Sequence, residues 1–233
     1  AEQEKTEKLL LNILPRSIAG RLKGGEKLIA DAHASVTVLF MDLVGFTKLS
    51  RTTTPDKLVK MLNAIFSTFD LLVERSGLEK IKTIGDSYML VGGAPELKEG
   101  HAQAAADLAL SMIENLAKIN AVNQTELSAR IGLNSGPVVA GVIGIRKFTY
   151  DLWGDTVNIA SRMESSGLPG RGRLPSVEDV VGNFRPDPPR SIHSRSNHSH
   201  SMVPGGLLVR SSTTRFTPLT SLVMRVLMRS RSS

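Results

Sequence analysis

The chain has 233 residues, enough for one sizeable core, and its lack of cysteine excludes disulfides and thiolate-held metals. Its formal net charge of +7 is not spread evenly: beyond residue 170 there are ten arginines, no lysine and three acids, which carry the whole excess. The body is therefore neutral, and the basic balance is no sign of a nucleic-acid-binding fold.

No apolar run approaches the roughly 18 to 20 residues of a membrane span. The charged N-terminus lacks the features of a signal peptide. The first residue is Ala rather than Met, which points to a piece of a longer protein.

In chain order, Leu9, Leu10, Leu11, Ile13, Leu14, Ile18 and Leu22 recur at helical spacing. They predict a helix over 3–22, with Pro15 as a break and new start. Such a lead-in either pairs with a second chain or packs on its own domain. The polar, Gly-containing stretch 23–34 predicts a loop. Residues 36–41 are β-favouring and apolar, and predict a buried strand. Asp42 at its end needs a hydrogen bond or a cation to offset its desolvation. The sequence Val44-Gly45-Phe46-Thr47 turns the chain into a helix, whose first N–H groups suit phosphate oxygens.

Thr54 and Pro55 read as the N-cap and first residue of a helix. Its apolar face is Leu58, Met61, Leu62, Ile65, Phe66, Phe69 and Leu72, and Gly77 ends it. Strands over 78–84 and 87–91, joined by Gly85-Asp86, predict a hairpin. A helix over 101–119 follows, then a strand over 127–133, a turn at 134–137 and an apolar, Gly-punctuated segment over 138–143. A strand over 148–153 and a helix over 155–166 complete the pattern. The order β-α-β-β-α-β predicts an α+β, ferredoxin-like antiparallel sheet with helices on one face.

Beyond residue 170 regular periodicity stops, and the Arg/Ser/Pro-rich composition of 171–233 predicts disorder. His193, His198 and His200 read as part of a polar tract rather than a metal site. Residues 219–227 read as at most a short amphipathic helix.

Several side chains carry chemistry. Asp86, in the hairpin turn, falls near Asp42 if the hairpin lies beside the first strand. Two converging carboxylates suit Mg2+ or Mn2+ completed by phosphate oxygens. Strict alternation puts Lys80 and Lys82 on one face of their strand, with Ile81 and Thr83 on the other. Asp151 lies in a strand, and Asn158 and Arg162 share one helical face.

The segments F-M-D-L-V-G-F-T, E-K-I-K-T-I-G-D-S-Y-M, G-L-N-S-G-P-V-V-A-G-V-I-G and Y-D-L-W-G-D-T-V-N-I-A-S-R-M, in this order, resemble the class III nucleotidyl cyclase catalytic domain over about residues 34 to 170. The lead-in L-L-L-N-I-L-P-R-S-I-A-G-R-L-K-G-G resembles the helical segment that joins upstream sensor modules to such domains. The resemblance implies a lead-in over 1–33, a catalytic domain over 34–170 and an atypical tail over 171–233.

It also implies roles. Asp42 and Asp86 match the two metal-binding aspartates, two Mg2+ or Mn2+ per site, and Leu43 the residue whose carbonyl also meets metal. Gly45, Phe46 and Thr47 match the triphosphate-binding turn, and Arg146 a further phosphate contact. Lys82 and Asp151 match the pair that reads adenine, so the implied substrate is ATP and the product cyclic AMP. Asn158 matches the ribose-orienting residue, and Arg162 the one that stabilises the α-phosphate in the transition state.

The resemblance further implies a homodimer with two sites built across its interface. It implies a cytoplasmic catalytic domain with an upstream sensor, any membrane anchorage belonging to the parent protein, and no nucleic-acid partner. The pattern departs from the family at its end: the family's K-G-x-G lysine has no counterpart, since no Lys follows Lys147. This supports a non-catalytic regulatory module as an alternative reading; a guanylyl cyclase is a separate one.

Overall fold

The computed structural model describes residues 10–144 and 147–173. The tail features at His193, His198, His200 and 219–227 lie outside these residues, as does Arg146. Helix α1 (Arg16–Lys23) starts directly after Pro15. Strand β1 (Ala30–Val44) leads through Gly45 into α2 (Phe46–Thr52) and α3 (Pro55–Ser76). The hairpin β2 (Glu79–Ile84) and β3 (Ser87–Gly92) precedes α4 (His101–Asn123). Then come β4 (Ser128–Ile143), β5 (Thr149–Trp153), α5 (Asp155–Ser165) and β6 (Arg171–Arg173).

The strand order is β2-β3-β1-β4-β5, antiparallel throughout, with β6 parallel to the start of β4. The first four strands have the expected ferredoxin-like order. Alternation in β1 divides the core. Leu39, Met41 and Leu43 pack with Ile65 and Phe69 of α3 and Leu108 and Met112 of α4. Val36 and Val38 pack on the other side with Leu14, Ile18 of α1 and Ala160 of α5. Each such fully buried Val, Leu, Ile, Met or Phe side chain contributes roughly 1.5 to 3 kcal/mol. The two helices of the β-α-β-β-α-β pattern thus share one face, while α1 and α5 cover the other. The described part of the lead-in packs on its own domain through Leu14, Ile18 and Ala19; residues 1–9 of the predicted helix lie outside the described residues.

Three local expectations change. The predicted loop 23–34 ends early, because β1 begins at Ala30 opposite Gly141 of β4. The predicted turn at 134–137 is continuous strand, with Ser135 opposite Thr37 and Gly136 opposite Val36. Gly and Pro signalled a break, but β1 supplies ladder partners there. Pro137 falls where the β1–β4 register shifts between His33 and Val36, the kind of irregularity that tolerates a residue without an N–H. Its carbonyl accepts from Thr156 Oγ1 at 2.6 Å. Finally, a strand does follow residue 170: β6 pairs Arg171–Arg173 with Arg130–Gly132.

Candidate functional site

On the α5 face, three adjacent strands place Ser87, Asp42 and Arg130 in one row, by the pairings Asp42↔Ser87 and Asp42↔Arg130. Ser87 Oγ donates to Asp42 Oδ1 at 2.7 Å, and Arg130 Nη2 donates to Asp42 Oδ2 at 3.0 Å. Arg130 Nε also donates to Glu164 Oε1 of α5 at 2.6 Å. Asp86 sits in the turn beside Ser87, as the hairpin reading predicts. Its carboxyl is pushed above the usual range, chiefly by burial and further by the charge of Asp42.

Two carboxylates this close favour a cation beside them, and Arg130 already serves as one for Asp42. The donors are hard oxygens, suited to Mg2+ or Mn2+. Among the described residues no group of three or more carboxylate, His or Cys ligands surrounds them. A pair rather than a closed cage fits a metal completed by phosphate oxygens and water. Leu43 follows Asp42 with its side chain buried on the α3/α4 face, so only its backbone is open to such a role.

Gly45 turns the chain from β1 into α2 with φ +93°, a left-handed geometry that favours glycine. No side chain caps α2. The N–H groups of its first turn, Phe46 and Thr47 among them, are placed to bind an anion.

Lys82 and Asp151 form an ion pair, Nζ to Oδ2. Asp151 is the more enclosed, with 14% of its side chain exposed against 33% for Lys82. A bulge precedes Lys82 on its strand. Lys80 lies opposite Leu90 and Lys82 opposite Met89, so Ile81 is the extra residue. Lys80 and Lys82 therefore point to opposite faces, contrary to strict alternation. Lys80 bonds Asp70 at 2.7 Å and lies 5.1 Å from the Tyr88 ring centre, while Lys82 joins the α5 face.

Asn158 and Arg162 sit on the exposed side of α5, away from its buried residues Thr156, Ala160 and Met163. The site residues therefore group as Asp42 with Asp86 and Lys82 with Asp151, with Asn158 and Arg162 turned outward. Arg130 and Glu164 were not foreseen. Arg130 alternates with apolar Ala129 and Ile131 and reads as a solvent-facing strand residue; only the register opposite Asp42 gives it away.

The family model of the adenylate and guanylate cyclase catalytic domain matches residues 28–183. An adenylate cyclase of Mycobacterium tuberculosis (strain ATCC 25618 / H37Rv) is 49% identical over 188 residues, which are 80% of this chain and 42% of that protein. Guanylate cyclase soluble subunit beta-2 of Rattus norvegicus is 45% identical over 184 residues, 78% of this chain and 27% of that protein. The chain thus spans less than half the length of these relatives. The crystal structure of the guanylate cyclase domain of RhGC from Catenaria anguillulae in complex with GTP is similar with a TM-score of 0.60 and 41% identity. It covers 62% of this chain, and the match takes in 79% of that chain.

Proposed function

The chain belongs to the adenylate and guanylate cyclase catalytic domain family, and from that premise we propose that it converts ATP to 3′,5′-cyclic AMP and pyrophosphate. The observation that carries the choice of ATP is the Lys82–Asp151 pair. A lysine donates to adenine N1, and an aspartate accepts from the exocyclic amine. Guanine presents the reverse pattern and would leave both groups unmatched, at about 1 to 3 kcal/mol each.

The other residues take the remaining tasks. The N–H groups of Gly45, Phe46 and Thr47 hold the triphosphate, with Arg146 as a further contact. Asn158 orients the ribose so that its 3′-hydroxyl faces the α-phosphorus. Arg162 stabilises the negative charge that grows on the phosphorus oxygens as pyrophosphate leaves. Asp42 and Asp86, with the Leu43 carbonyl, would hold Mg2+ or Mn2+, which lowers the hydroxyl's pKa and neutralises the leaving group.

The active assembly is a homodimer. Val139, Ile143 and Trp153 lie on the same side of the β4–β5 ribbon as Asp151 and are 47%, 54% and 40% exposed. An apolar strip of this kind beside a binding residue favours cover by a second copy. Asn158 and Arg162, turned outward on α5, would then complete the partner's site. No helix among the described residues is long and apolar enough to cross a membrane. In this reading the domain works in the cytoplasm, under a sensor supplied by the rest of the parent protein.

A second reading, guanylyl cyclase activity, draws on the likeness to the rat and Catenaria proteins. The deciding experiment supplies ATP or GTP with Mg2+ or Mn2+ and quantifies cyclic nucleotide beside an Asp42→Ala control. Cyclic AMP from ATP, little product from GTP and none from the control is the expected result. A folded dimer that binds ATP yet makes no product would point instead to a regulatory module, with the absent family lysine as first suspect.

A further inference from the structure

We propose that Glu164 is a positioning residue: it holds Arg130 when a divalent cation takes Asp42, and so sets the cation affinity of the Asp42–Asp86 pair. This rests on reading that pair as a cation site.

The geometry is a competition for one guanidinium. Arg130 uses two separate N–H groups, Nη2 to Asp42 at 3.0 Å and Nε to Glu164 at 2.6 Å. The planar fork of arginine allows both at once. Asp42 has its other oxygen occupied by Ser87 at 2.7 Å. Both Asp42 oxygens thus already accept a hydrogen bond, and a cation that takes Oδ2 competes with Arg130 for it.

A guanidinium released in a half-buried place is costly unless another carboxylate keeps it. Glu164 is that carboxylate. Its bond is the shorter of the two, and its side chain is 12% exposed against 20% for Asp42. Its backbone is also pinned: a Cβ at Gly132, next to Ile131 on the same strand as Arg130, would lie 2.1 Å from Glu164 N. Glu164 thus stays beside Arg130 whatever happens at Asp42. Asp86, the other charge felt by Arg130, belongs to the cation site itself.

The test measures Mn2+ binding directly, by calorimetry and by the spin resonance of free Mn2+, on the full chain without nucleotide. Glu164→Gln is expected to weaken binding about tenfold, the scale of one charge-assisted hydrogen bond shifted onto Asp42. Arg130→Gln frees Asp42 and is expected to bind at least as tightly as wild type. Adding Glu164→Gln to Arg130→Gln is expected to change nothing further.

Wild-type affinity in Glu164→Gln, with binding lost in Asp42→Ala, overturns the proposal and leaves the cation site standing. Equal weakening by Glu164→Gln with and without Arg130 also overturns it, because that marks a role in holding α5 rather than in holding Arg130. Undiminished binding in Asp42→Ala overturns the cation reading itself. If Glu164→Gln does not fold, Glu164→Asp keeps the charge and shortens its reach. It is expected to weaken binding severalfold, and wild-type affinity in that variant would count against the proposal.

Discussion

Lys82 and Asp151 are 69 residues apart in sequence and lie on the two outermost strands of the β2-β3-β1-β4-β5 path, yet their side chains form an ion pair. Two irregularities accompany this. The bulge at Ile81 turns Lys82 to the α5 face, and the register shift at His33/Val36 interrupts the β1–β4 ladder just before the end that carries β5. A flat sheet would hold these strands four spacings apart, so the sheet must curl. If the pair reads adenine, Asp151→Asn removes one acceptor and leaves Lys82 without its carboxylate. The kcat/KM for ATP is expected to fall about 5- to 150-fold, the equivalent of roughly 1 to 3 kcal/mol, with a smaller change for GTP. Lys82→Ala combined with Asp151→Ala is expected to lose less than the sum of the single losses in ΔΔG‡. Additive losses would argue that the two groups do not act as one reader.

Asn158 and Arg162 face away from the buried side of α5, while Asp42 is held on the sheet beneath it. A site completed by a second copy predicts complementation. Asp42→Ala and Arg162→Ala chains should each be inactive alone, and mixing them should restore up to one full site per mixed dimer. Cyclic nucleotide is measured after the two chains are mixed and allowed to exchange. A mixture as inactive as its parents would sink the shared-site arrangement.

Much of this was legible in the sequence where local chemistry and fold agree. Pro15 and Pro55 mark the starts of α1 and α3, and the apolar face from Leu58 to Leu72 belongs to a helix packed on the sheet. Asp86 could be placed near Asp42 because a two-residue turn fixes the hairpin. The failures arise where a neighbouring strand decides the outcome. Asn134-Ser135-Gly136-Pro137 has turn composition, but β1 pairs with it and keeps it extended. Lys80 and Lys82 obey period two on paper, and only the cross-strand register reveals the extra residue at Ile81. Arg130 and Glu164 stayed hidden for the same reason. Each looks like a solvated charge on its own element, and their meeting with Asp42 exists only after β4 pairs with β1 and α5 closes over Gly132.

Gly132 makes that closure possible. A Cβ there would come within 2.1 Å of Glu164 N and 2.4 Å of the Ala160 carbonyl, both backbone atoms that cannot swing aside. Gly132→Ala must therefore push α5 off the sheet. Overpacking of this kind costs about 1 to 3 kcal/mol, and rigid backbone neighbours favour the upper end. Urea unfolding should show a lower midpoint with unchanged slope. Because α5 carries Asn158 and Arg162, cyclase activity is expected to fall further than stability alone explains. A variant with wild-type stability would mean that the helix lies farther from β4 than described.

Glu79 supplies the pH prediction. It opens β2 in a cleft with Arg16, Asp70, Glu74 and Lys80. Burial first, and then the charge of Glu96, push its carboxyl above the usual range. An acid whose native pKa is raised binds its proton more tightly folded than unfolded. Its favourable contribution is therefore complete below the unfolded value of about 4.3 and is lost as pH rises through the higher native value. At pH 7 the ionised Glu79 is a burden, so Glu79→Gln is expected to be more stable than wild type. The advantage should shrink as pH falls toward about 4, where wild-type Glu79 is protonated in both states. Denaturant melts of both proteins between these pH values check this directly. An advantage that stays constant with pH would show that the gain does not come from the charge. A less stable variant at pH 7 would mean that the ionised carboxylate holds a favourable partner.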